Sequence, residues 1–109
     1  MATLSVQTLV KTGSQPSLAA CAAGGDEFPN DGSTAILITN ANASTRTLTI
    51  VTQATTDGLA VADRTVTIAG TDDTFIADLD RNVYNDSSGR VQLTYSTEAD
   101  LTIAILRLN

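Results

Sequence analysis

Thr47-Leu48-Thr49-Ile50 alternates polar and apolar side chains without a break. In a β-strand successive side chains point to opposite faces, so Leu48 and Ile50 turn inward together while the threonines face water. The scheme returns in Arg64-Thr65-Val66-Thr67-Ile68, in Val91-Gln92-Leu93-Thr94-Tyr95 and in Leu101-Thr102-Ile103-Ala104-Ile105. Helical spacing fails in all four windows. These stretches decide the fold class: strands with one buried face.

Further strands are expected over Leu4–Val10, Thr34–Thr39 and Thr74–Ala77, with a short one over Leu18–Ala22. Ala35-Ile36-Leu37-Ile38 is continuously apolar, as in a strand covered on both faces. Turn signals separate the runs: Gly24-Gly25, Pro29-Asn30-Asp31-Gly32, Asn40-Ala41-Asn42, Asp57-Gly58, Gly70-Thr71-Asp72 and Asn85-Asp86-Ser87-Ser88-Gly89. Glycine supplies positive φ there, and Asn and Asp bond their own backbone. The expectation is a single-domain antiparallel β-sandwich over residues 1–109, of jelly-roll or Greek-key type, with about 7–8 strands.

Composition agrees. Of 109 residues 18 are Thr, which suits a half-exposed pleated surface. Helix formers are scarce, with one Lys, two Glu and one Met. Aromatic residues make up 4% of the chain, so Val, Ile, Leu and Ala must fill the core. A chain this short hides roughly two-thirds of its unfolded surface and gains from oligomerisation.

Charge narrows the partners. The net charge is −6, and Lys11, Arg46, Arg64, Arg81, Arg90 and Arg107 are spread singly. Nucleic-acid binding needs clustered cations, so no nucleic-acid partner is expected, and the acidity argues equally against an anionic membrane. The opening Met1-Ala2-Thr3-Leu4 has neither a basic start nor a long apolar run, so synthesis in a cytoplasm without a secretion signal is expected. The triplets Asn42-Ala43-Ser44 and Asn85-Asp86-Ser87 are then coincidental glycosylation matches.

Catalytic chemistry is hard to assemble. With no His, Cys21 lacks an activating base and reads as a small buried hydrophobe. The pairs Asp26-Glu27, Asp72-Asp73 and Asp78 with Asp80 lie in turn-like segments and read as solvated charge. Asp78-Leu79-Asp80-Arg81-Asn82 has acids at calcium-loop spacing but lacks the Gly and bidentate Glu of such a loop. No enzyme, cofactor or metal is expected.

Gly24-Gly25-Asp26-Glu27-Phe28-Pro29-Asn30-Asp31-Gly32, the run from Asp57 to Ile68, and Tyr84-Asn85-Asp86 leading into Val91–Ser96 together resemble small proteins encoded among the head genes of tailed bacteriophages, the capsid decoration or cement proteins. The likeness spans about Leu4 to Leu108. It implies a β-sandwich on the outer capsid surface of the virion, made in the host cytoplasm, that bridges subunits of the major capsid protein. It also implies a homo-oligomer, with a trimer favoured. Other readings are a tail-tube or head-fibre module, or a stand-alone bacterial β-sandwich binding domain. Contacts to capsid or neighbouring subunits are expected from Phe28, Pro29 and Asn30 in Ala23–Asn30, and from Leu59 and Val61 in Thr55–Asp63. The second face of the closing strand, Leu106 and Leu108, reads either as ordinary core or as a face packed against a neighbouring subunit.

Overall fold

Alternating side chains force each strand to bury one face, and a chain of such strands meets that demand by laying two sheets together. The computed structural model describes residues 2–10, 13 and 15–107. In chain order the strands are β1 (Ala2–Thr3), β2 (Val6–Thr8), β3 (Ala19–Ala20), β4 (Asp26–Pro29), β5 (Thr34–Asn40), β6 (Arg46–Ile50), β7 (Thr55–Thr56), β8 (Leu59–Ala60), β9 (Arg64–Ile68) and β10 (Asp72–Ile76). A four-residue helix, α1 (Arg81–Tyr84), precedes β11 (Arg90–Tyr95) and β12 (Leu101–Arg107).

The fold is all-β. One sheet runs β1-β4-β11-β6-β9 and the other β10-β5-β12-β2, with β3 also paired to β12. The inward residues of both sheets form one cluster: Phe28, Leu48, Ile50, Ile68, Val91 and Leu93 from the first, and Ile36, Ile38, Ile76, Leu101, Ile103 and Ile105 from the second. Seven strands have four or more residues, in keeping with the regular turn spacing of the sequence.

The expected antiparallel order needs one correction. Leu4–Val10 is not one strand. Within it only Val6–Thr8 is a strand, parallel to β12, while the preceding Ala2–Thr3 runs parallel to β4 in the other sheet. The chain crosses between the sheets at Leu4 and Ser5, which lie outside any strand. Parallel pairing is available here because an edge needs no hairpin to reach it. The Leu18–Ala22 strand shrinks to Ala19–Ala20, paired antiparallel to Ile103 and Thr102.

A second correction concerns Ala23–Asn30, expected to be a contact loop. Asp26–Pro29 is instead a strand, paired antiparallel to β11 with Val91 opposite Phe28. Phe28 is wholly buried, and so is Asp26, against the solvated charge expected from its turn-like surroundings. The Asp26 carboxylate accepts the Tyr95 hydroxyl at 2.6 Å and the Ala22 N–H at 3.1 Å. This ties the turn before β4 to the end of β11. Gly25 in that turn has φ +95, and a Cβ there would overlap the Leu93 carbonyl oxygen. Burial pushes the Tyr95 phenol up, with the hydrogen bond to Asp26 acting in the same direction. Burial likewise raises the Cys21 thiol to about 11, so it stays protonated at neutral pH.

Deleting a fully buried phenyl ring leaves a cavity, at a cost of about 3–5 kcal/mol. Phe28→Ala is therefore expected to lower unfolding free energy by that amount in urea titrations. A change below about 1 kcal/mol, the size of a typical surface effect, would place the ring outside the core.

A candidate contact surface at one end of the sandwich

The strand directions sort the connections into two groups. Residues 41–45, 69–71 and 96–100 meet at one end. The stretches 30–33, 51–63 and 77–89 gather at the other, beside Arg107. This second end collects most of the residues expected to make contacts, although it does not use them all as expected.

Its framework is a polar knot. Asn30 donates through Nδ2 to the Leu79 carbonyl and to Asn85 Oδ1, both at 2.8 Å. Its own Oδ1 accepts from the Gly32 N–H at 2.9 Å and the Thr34 hydroxyl at 2.6 Å. Asn85 returns a bond from Nδ2 to the Asn30 carbonyl at 2.8 Å. Every polar atom of the Asn30 amide is thus used, as a buried amide requires. Asn30 is 6% exposed, so it holds three loops together rather than meeting a partner. That corrects its expected role, and Phe28 is corrected with it.

The carboxylates at this end also have internal work. Asp80 caps α1, accepting from the Asn82 N–H at 2.8 Å. Asp78 has φ +60, and its carbonyl accepts from the Arg64 guanidinium, as does that of Ala77. Among the described residues no three His, Cys, Asp or Glu side chains come together to hold a metal. Gln92 Nε2 and the Arg90 N–H hold Asp86 below the ordinary carboxylate range. The Ser33 N–H does the same for Asp31, helped by the 3.2 Å ion pair with Arg107.

From this base rises a hairpin. Asp57 and Gly58 adopt φ 52 and 78, the double positive φ of a type I′ turn, which Asp-Gly supplies. The turn pairs Thr56 with Leu59 and Thr55 with Ala60. Residues 55–63 are all exposed, Leu59 at 71% and Val61 at 41%. The arm's base is fixed. Gln53 and Ala54 donate to the Val83 carbonyl at 2.9 and 3.0 Å, and Thr52 bonds Asp63 and Ala62. The structure thus presents Leu59 and Val61 on a pinned, solvent-facing arm.

The other expected contact residues divide. Pro29 is exposed at the same end. Leu106 faces outward from β12 but is 6% exposed, standing between Ala35 and Gln7 in register. It is sheet packing rather than free surface, and Leu108 lies outside the described residues. Sequence reading missed Phe75, which is 70% exposed on β10. The signal was present, since alternation with inward Ile76 turns Phe75 out.

No family model, curated protein or solved structure matches this chain.

Acids held below their ordinary range stabilise the folded chain at neutral pH, and that contribution disappears as pH falls through the folded values. Unfolded Asp titrates near 3.9. The urea midpoint is thus expected to hold level from pH 7 to about 5 and to drop below about 4. Asp86→Asn should flatten part of that acid limb. An unchanged limb would show that the Gln92 and Arg90 bonds do not favour the charged form.

Proposed function

We propose that this chain is a structural subunit that acts by surface contact rather than catalysis. Specifically, we propose a decoration protein on the outer surface of a tailed-bacteriophage capsid, bridging major capsid subunits through the arm and the loops beside it. The observation carrying the contact reading is the arm itself. Nine consecutive exposed residues, two of them large and apolar, stand on a hydrogen-bonded base. Leaving Leu59 and Val61 in water is unfavourable by about 25 cal/mol per Å2 of apolar surface. Such exposure marks an interaction site where it clusters.

The capsid part of the reading rests on the resemblance of the quoted segments, and the wiring supports it. Taking β3 as the first strand, the eight strands β3, β4, β5, β6, β9, β10, β11 and β12 fall in the order 1-8-3-6 in one sheet and 2-7-4-5 in the other. We read that order as a jelly roll, an architecture used by viral capsid domains among others. Because fold alone does not give function, the arm carries the argument and the wiring only agrees with it. The acidic chain suits the outside of a head rather than its DNA-facing side.

A subunit that binds the assembled lattice but not free capsid protein stabilises the shell by its binding free energy. Many weak contacts on one particle add through multivalency. The test is co-sedimentation with matching empty heads. Leu59→Asp combined with Val61→Asp should reduce occupancy tenfold or more, while the thermal midpoint stays within a few degrees, as for other surface changes. Full occupancy by that variant would overturn the arm as the contact. Absence of wild-type binding to any head would overturn the capsid reading and favour a tail or fibre module, or a free-standing binding domain.

A further inference from the structure

Among the described residues no further strand pairs with β9 or β10, each of which stands at the edge of its sheet. The opposite side is occupied by the N-terminal segment, whose Gln7 side chain bonds both the N–H and the carbonyl of Ser17, at 2.9 and 2.8 Å. An exposed edge strand presents unpaired N–H and C=O groups, and proteins guard such edges with Lys, Pro, bulges or shortness. β10 is five residues long, contains neither Lys nor Pro, and carries acids only at its first two positions. Its outward Phe75 is 70% exposed and begins an uncharged row, Phe75 beside Leu37 and Leu37 beside Ala104, across three strands.

We infer that β10 pairs antiparallel with β10 of a second copy of this chain, about a two-fold axis at Thr74. The strand is self-complementary in that register. Asp72 meets the second copy's Ile76, Asp73 meets its Phe75, and Thr74 meets its Thr74. All five residues overlap and no carboxylate faces another. Thr–Thr pairs are favourable across strands, and diagonal neighbours lie within reach of aromatic rings, so the two Phe75 rings approach each other beside the axis. The outer apolar rows of the two copies then meet diagonally, each Phe75 also facing the second copy's Asp73. This contact is isologous and closes at two copies. It departs from the trimer implied by the family resemblance, and it does not depend on what the arm binds.

An edge-on pairing of five residues is smaller than the standard interface of about 1,600 Å2, so association is weak and concentration-dependent. Light scattering of the full chain from about 10 μM to about 1 mM, the range of weak affinities, should show the mass rising from one copy toward two. Phe75→Asp sets a carboxylate opposite the second copy's Asp73 and should weaken association at least tenfold. Phe75→Lys loses the ring but faces the same Asp73, so it should associate more tightly than Phe75→Asp. Leu59→Asp, equally exposed but on the arm, should associate like wild type. Phe75 and Leu59 are surface positions, and circular dichroism melts verify that each variant folds. A constant one-copy mass, a three-copy mass, or equal weakening by Phe75→Asp and Leu59→Asp would overturn the pairing.

Discussion

The ladder between β5 and β12 is the constraint from which the rest of the architecture follows. Seven residue pairs join Thr34–Asn40 to Leu101–Arg107 in unbroken antiparallel register. The inward side chains, Ile36, Ile38, Leu101, Ile103 and Ile105, are all buried to within 1%. Each is worth about 1.5–3 kcal/mol of transfer free energy. A slip of one residue would turn the whole set to the other face, so the ladder admits one register. It brings together segments far apart in sequence, and the entropy of closing such a loop rises only slowly with its length. The cost falls instead on folding speed, because non-local pairings form late.

Apart from the β7–β8 arm, the remaining strands attach to that ladder or to its counterpart, β4-β11-β6, and two devices join the layers. Along one side the N-terminal segment crosses from β4 to β12, pairing with both sheets within seven residues. At the arm end the Asn30–Asn85 knot binds the loop after β4 to the segments around α1 and before β11. The arm stands on this fixed base, because Gln53 and Ala54 bond the carbonyl of Val83 in α1. A contact element on a rigid base loses little ordering entropy on binding.

Much of this was legible in the residues. Leu48, Ile50, Leu93 and Ile103 announced themselves by strict alternation, and all are buried. Asp57-Gly58 announced the arm by turn chemistry. What misled was polarity inside the sandwich. Asp26 beside Phe28 looked like a solvated turn, because its partner, Tyr95, lies 69 residues away. Asn30 looked like a turn residue for the same reason, with Asn85 and Leu79 distant in sequence. Strand periodicity also does not say which sheet a strand joins, so nothing local separated Ala2–Thr3, on β4, from Val6–Thr8, on β12. Phe75 was legible from its neighbours, since it stands next to inward Ile76 and shares its face with exposed Asp73 and Ala77.

On the function we propose, a two-layer body directs one end, with its arm, toward a partner surface. Amide hydrogen exchange with and without matching empty heads tests that picture most directly. The account predicts new protection over residues 53–63 and the loop around Pro29, while β5 and β12 exchange slowly and equally in both states. Protection confined to the opposite end, at 41–45 and 96–100, or the absence of any change on the arm, would contradict it.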